Sequence, residues 1–128
     1  MNKKILLLTM SLLVIIMFAG AAYYYSVYSP YRISSESAKN LIANHQIDLI
    51  LDVRTDLERS TLGFYPGSVH IQSADLEREM PKRYPDKNIR ILAYCNTGHR
   101  ARLATDKLQA LGYKNARYIS SGYKSIMN

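Results

Sequence analysis

The sequence predicts an α/β domain with a mainly parallel central sheet flanked by helices, preceded by one N-terminal transmembrane helix. Three observations carry that expectation. The chain opens on a long uncharged run. Short apolar, strand-like runs then alternate with segments of helical spacing. The total of 128 residues leaves room for one small domain after the opening run. Strands that alternate with helices imply crossover connections and hence parallel pairing.

Ile5 to Ala22 holds no charge, and its only polar side chains are Thr9 and Ser11. As a helix this run is about 27 Å long, at roughly 1.5 Å per residue. Continued through Tyr23, Tyr24 and Tyr25 it is long enough to cross a hydrocarbon core of about 30 Å. Tyrosines suit the membrane–water boundary, where the ring is apolar and the hydroxyl wet. The competing reading is a cleaved secretory signal, with Lys3 and Lys4 as its positive start and Ala19-Gly20-Ala21 as its cleavage site. Signal cores usually run ~7–15 residues, which favours a retained anchor. In both readings Lys3 and Lys4 stay cytoplasmic and the rest crosses. The expectation is a single-pass membrane protein with its domain on the extracytoplasmic side. After cleavage it would instead be secreted or periplasmic. Residues 1–25 are read as the transmembrane anchor or uncleaved signal, 26–32 as a linker broken at Ser29-Pro30, and 33–128 as the domain.

Within the domain, Ser34 or Ser35 can cap a helix whose apolar face is Ala38, Leu41 and Ile42, ending near His45. Ile47 to Val53 reads as a buried strand, and Asp56 to Thr61 as a short helix. Tyr65-Pro66-Gly67 is a turn before a strand over Ser68 to Ile71. Ser73 is expected to cap a brief helix over Ala74 to Met80, limited by Pro81 and Pro85. Ile89 to Tyr94 is the clearest strand. Cys95 follows it, then Asn96-Thr97-Gly98-His99, then a helix. Ala101, Ala104, Leu108 and Leu111 mark the inner face of that helix, with Arg102, Asp106, Lys107 and Gln109 elsewhere and Gly112 as its stop. Ala116 to Ile119 is a last strand, and Gly122 to Ile126 a final helical turn.

The chain carries 17 basic and 10 acidic residues; with Lys3 and Lys4 set aside, residues 31–128 keep 15 of the basic ones. They are scattered apart from Lys82-Arg83, which points to a solvated basic surface and away from nucleic acid. A single cysteine excludes an intrachain disulfide and a Cys-rich zinc site, so no metal and no cofactor are expected. Oligomeric state is not legible in the sequence.

Position makes Cys95 informative. It stands at the carboxyl end of a central strand and just before a helix, where open α/β sheets place their sites. A tight turn there directs successive backbone N–H groups inward, and with the helix N-terminus these form a nest for anions. A nest of this kind stabilises negative charge on sulfur. Gly98 serves the turn. Arg100 is poorly placed for helix stability, because an N-terminus prefers anions, so a role at the site is favoured over a plain surface charge. The alternative for Cys95 is a small core residue at a strand end. His99 is read as solvent-facing, with tuning of the loop's charge as the alternative. His45 and His70 are read as surface or packing residues.

The loop Cys95-Asn96-Thr97-Gly98-His99-Arg100 resembles the six-residue active-site loop of rhodanese domains. Leu49-Ile50-Leu51-Asp52-Val53-Arg54 resembles the family strand that ends in Asp-Val-Arg, and Glu58 the acidic residue shortly after it. Gly63-Phe64-Tyr65-Pro66-Gly67-Ser68 resembles the family's Gly-His-Ile-Pro-Gly-Ala turn. Leu111 to Asn115 and Ser121-Gly122-Tyr123 resemble its closing segment. The resemblance implies a single-domain sulfurtransferase. Cys95 would take a sulfane sulfur from a small donor anion such as thiosulfate and pass it to a thiol or cyanide. It implies that the amides of Asn96, Thr97, Gly98, His99 and Ala101 cradle the substrate. Arg100 would order the loop and raise its positive potential, with Asp52, Arg54 and Glu58 as a structural ion-pair network below. Asn96 stands where the family often has Arg, and Phe64 where it usually has His.

Two other readings compete. A cysteine phosphatase or arsenate reductase uses Cys-x5-Arg, whereas here the interval is Cys-x4-Arg and Ala101 sits where that Arg would be. A binding or redox-sensing module at a membrane would keep the fold without the transfer.

Overall fold

The computed structural model describes residues 2–128. Helix α1 (Lys3–Val27) contains the uncharged run, and Asn2 caps it by accepting from the Lys4 amide. Its large apolar side chains from Ile5 to Phe18 are exposed, as are Tyr23, Tyr24 and Tyr25. By length and composition it can cross a membrane, and a signal sequence near an N-terminus passes the same test.

After α1 the elements are α2 (Ser35–Ala43), β1 (Leu49–Asp52), α3 (Asp56–Leu62), β2 (Val69–His70), α4 (Leu76–Arg83), β3 (Ile91–Tyr94), α5 (His99–Ala110) and β4 (Ala116–Tyr118). A 3₁₀ turn over Ser73–Asp75 leads into α4, and another over Tyr123–Ile126 closes the chain. The strands form one parallel sheet in the order β2-β1-β3-β4, with Asp52 beside Tyr94 and Ile91 beside Ala116. Arg32 adds a parallel bridge to Tyr118 at the outer edge. Tyr31 and Arg32, in the expected linker, are thus bound to the edge of the sheet.

Period-two alternation sorts β3 between two cores. Ile91, Ala93 and Cys95 join Leu49, Leu51, Leu76, Met80, Ala104 and Leu108 on the α4–α5 side. Leu92 and Tyr94 join Ala38, Ile119 and Ile126 on the α2 side. Burial on both faces explains why β3 reads as a continuous apolar run.

Several local expectations are revised. Ser73 begins a 3₁₀ turn and makes no capping hydrogen bond, so α4 starts three residues later at Leu76. Pro81 lies inside α4 rather than ending it. The only helical bond it removes would reach the carbonyl of Glu77, an exposed residue, and Lys82 and Arg83 suit the negative helix end that follows. Gln109 is buried, because its amide donates to the carbonyls of Lys114 and Ala116 and holds the turn into β4. Gly112 stops α5 as expected, with φ at 100°.

Candidate active site

The carboxyl edge of the sheet gathers residues from four segments: the end of β1, helix α3, the loop after β3 and the turn after β4. Cys95 leaves β3 pointing beneath the N-terminus of α5 and is 1% exposed. Its Sγ accepts two backbone hydrogen bonds, from the Gly98 N–H at 3.0 Å and the Ala101 N–H at 3.4 Å. Two properties of Gly98 make this curl possible. Its φ is 98°, a region that L side chains rarely adopt, and a Cβ there would stand 2.7 Å from Ser120 Cα. The Ala101 donor is one of the first four N–H groups of α5, which have no helical partner of their own.

Below the loop lie two carboxylates, each the centre of a network. Asp52, wholly buried, takes Arg54 Nη2 at 2.9 Å, Arg54 Nε at 3.0 Å and Arg59 Nη1 at 3.1 Å, and the Tyr94 hydroxyl donates to it at 3.1 Å. Burial pushes the Asp52 carboxyl up, but the Arg54 side chain and backbone, helped by Arg59, outweigh it and hold the group below its ordinary value. Burial likewise raises the Tyr94 phenol, which stays a donor while it accepts from the Tyr65 N–H. Arg59 also lies 3.9 Å over the Phe64 ring, so the aromatic residue in the turn covers a guanidinium.

Glu58 is the second centre. Thr55 and Glu58 form a reciprocal capping box at the start of α3. The same carboxylate takes both Arg100 Nη groups, at 2.6 and 2.7 Å. That pair, against the opposing effect of burial, holds Glu58 down to about 2. Asn96 joins the two networks. Its Oδ1 accepts from Arg54 Nη1 at 3.2 Å and its Nδ2 donates to Glu58.

Beside the loop opens a cleft of about 230 Å³ lined by Arg54, Leu62, Asn96, Gly122, Tyr123 and Lys124. Among the described residues no cluster of three or more His, Cys, Asp or Glu could hold a metal ion.

This loop, its cysteine and its paired carboxylate networks sit on a parallel sheet that a family model matches over residues 34–128, as a rhodanese-like domain. The chain belongs to the rhodanese-like domain family. A mouse relative, thiosulfate sulfurtransferase/rhodanese-like domain-containing protein 3, is 26% identical over 107 residues, which span 75% of this chain and 68% of that protein. The human single-domain sulfurtransferase TSTD1 has a similar structure, with TM-score 0.64 and 24% identity over 76% of this chain and 95% of that one. A protein of unknown function from Rhodopseudomonas palustris, described as a possible tyrosine phosphatase, has TM-score 0.63 and 25% identity, covering 74% of this chain and 77% of its own. At this level the structural likenesses speak to the fold.

In this rhodanese-like domain the loop residues part company. Thr97 and His99 are exposed, while Gly98 and Ala101 are buried beneath the loop. His99 Nδ1 lies 3.0 Å from the Ser26 carbonyl, which also accepts from Arg102 Nη1 at 3.2 Å. The end of α1 is thereby tied to the start of α5. Both Nη groups of Arg100 are engaged by the Glu58 carboxylate. Arg59, Tyr94 and Thr55 take part as well, without having been candidates on sequence grounds. Thr55-x-x-Glu58 was visible as a capping box. Arg59 and Tyr94 carried no local signal. His70 is a packing residue, with Nε2 2.6 Å from the Arg54 carbonyl.

Proposed function

We propose that this chain is a membrane-anchored sulfurtransferase working through a persulfide on Cys95. The Cys95 thiolate attacks the outer sulfur of a donor such as thiosulfate. The donor's S–S bond breaks with its electron pair leaving on sulfite, and a Cys95 persulfide anion remains. A thiolate or cyanide then attacks the terminal sulfur, carries it away as a persulfide or thiocyanate, and returns Cys95 as thiolate. Each step exchanges one S–S or C–S bond for another, with no net oxidation and no cofactor.

The observation that carries this reading is the pair of N–H donors aimed at Cys95 Sγ from Gly98 and Ala101. Such donors at a helix start favour negative sulfur over neutral sulfur. In the proposal the amides of Asn96, Thr97, Gly98, His99 and Ala101 cradle the incoming and transferred sulfur. Arg100, fixed on Glu58, holds the first turn of α5 in place, and Asp52, Arg54 and Glu58 form the frame beneath. The anchor is α1, with Lys3 and Lys4 on the cytoplasmic side and the domain beyond the membrane.

A binding or redox-sensing module is the second reading, favoured by the near-complete burial of Cys95. Phosphatase chemistry fits less well, since the Cys-x4-Arg interval is one residue short and Arg100 is already committed to Glu58. The deciding experiment is incubation of the full chain with thiosulfate, followed by mass spectrometry. The expected result is a gain of one sulfur atom on Cys95, absent in a folded Cys95→Ser variant. A folded wild type that gains no sulfur would move the assignment to the binding module. Hydrolysis of a phosphate ester without sulfur transfer would move it to phosphatase chemistry.

A further inference from the structure

Resting on the sulfurtransferase reading, we propose that Lys124 is the residue that captures the anionic end of the sulfur donor. The argument begins with the cations around the loop. Arg54 and Arg59 are bound to Asp52, and Arg100 to both oxygens of Glu58. Their donors point into the protein frame, and Arg54 is 1% exposed. The residue next to the cysteine, Asn96, is neutral and engaged on both sides. Lys124 differs on each count. It is exposed, it lines the cleft, and among the described residues no carboxylate pairs with its ammonium.

Its backbone is well placed to hold that charge at the mouth. Gly122 packs against the loop, since a Cβ there would lie 3.6 Å from the Asn96 carbonyl oxygen. Tyr123 is pinned by its hydroxyl, which donates to the Leu62 carbonyl at 3.1 Å, and its ring lies 5.5 Å from the Arg54 guanidinium carbon. The 3₁₀ turn that starts at Tyr123 therefore presents Lys124 from a fixed base, in the lining of the cleft it shares with Asn96. The cleft is roomy enough for a small inorganic donor; its lining holds two cations, Arg54, already bound to Asp52, and Lys124, together with polar Asn96 and apolar Leu62 and Tyr123. A donor with an oxyanion head and a polarisable sulfur tail matches that arrangement. The head is attracted to the ammonium and the tail is left toward the cysteine loop.

A lysine used in this way acts on capture rather than on bond breaking. Removing it should raise KM and leave kcat nearly unchanged, the pattern of lost uniform binding. One lysine facing a doubly charged anion at a wet rim is worth about five- to tenfold in affinity at low salt, and less as salt is added.

The test uses the full chain, with steady-state transfer from thiosulfate to cyanide at several ionic strengths. The expected result for Lys124→Gln is a KM for thiosulfate raised about five- to tenfold, with kcat within twofold and an unchanged melting temperature. Lys124→Arg should restore KM to within twofold of wild type, and Lys124→Glu should raise it beyond the glutamine variant. The wild-type KM should climb with salt more steeply than that of Lys124→Gln. A KM for Lys124→Gln within twofold of wild type, or a fall in kcat alone, would overturn the assignment while leaving the sulfurtransferase reading in place. A wild type that transfers no sulfur would overturn both.

Discussion

Gly98 gives the sharpest check on how the loop is built, because Gly98→Ala introduces two separable costs. The first is conformational. At φ 98° and ψ −20° an L side chain is strained, by about 1–2 kcal/mol. The second is steric. The new Cβ would stand 2.7 Å from Ser120 Cα and 3.0 Å from its carbonyl oxygen. Those are backbone atoms, so relief requires the loop or the β4 end to shift, which costs about 1–3 kcal/mol more. The sum is about 2–5 kcal/mol. At roughly 4–8 °C per kcal/mol for a domain of this size, the melting midpoint should fall by at least about 8 °C. Gly67→Ala is the control. Gly67 also has positive φ, 85°, but nothing lies within 4 Å of its would-be Cβ. Only the conformational cost applies there, and the midpoint should fall by less than half as much. Thermal unfolding followed by circular dichroism measures both. Because the Gly98 N–H is the shorter of the two bonds to Cys95 Sγ, Gly98→Ala should also slow persulfide formation at a temperature where it is still folded, and Gly67→Ala should not. Equal midpoint losses in the two variants would refute the close-approach argument.

Two further expectations concern Glu58. Glu58→Gln removes the carboxylate that holds Arg100, so persulfide formation should slow about tenfold, while stability, for a pair this exposed, falls by only about 1 kcal/mol; stopped-flow transfer and urea unfolding measure the two separately. Glu58 also predicts an acid dependence: its folded value of about 2 lies below the ordinary 4.5, so its contribution is fully present above about pH 4.5 and is lost as pH falls toward 2. Asp52, shifted the same way, adds to that loss. The urea midpoint of wild type should therefore decline between pH 4.5 and 2 more steeply than that of Glu58→Gln, and parallel curves would contradict the assignment.

Most of the sheet was readable because its signals are local. β3 announces itself by four consecutive apolar residues, and α5 by the spacing of Ala101, Ala104 and Leu108 before a glycine stop. The cysteine's place between them follows from order along the chain. What escaped were features decided by tertiary partners. Ser73 looks like a cap, but the chain tightens into a 3₁₀ turn there. Pro81 looks like a stop, but the bond it forfeits belongs to an exposed turn. Gln109 looks like a surface residue, yet it satisfies two carbonyls that only the fold brings together. At the site, Asp52, Arg54, Glu58 and Arg100 could be named from the resemblance, whereas Arg59, Tyr94 and the bridging use of Asn96 depend on contacts between segments far apart in sequence.

Asn96 shows why the position after the cysteine is neutral in this chain. It stands between a guanidinium that can only donate and a carboxylate that can only accept. A side chain in that place must accept on one side and donate on the other. A primary amide does both, and the opposite orientation of that amide would set donor against donor and acceptor against acceptor. An aspartate would satisfy Arg54 and repel Glu58. An arginine or lysine would satisfy Glu58 and repel Arg54. The neutral amide therefore couples the Asp52 and Glu58 networks and fixes the backbone that leads out of Cys95. The same bonds leave it no charge to offer a substrate. Beyond the loop amides, a side-chain charge for the donor is then sought outside this frame, and the turn that packs on Asn96 through Gly122 offers one at Lys124.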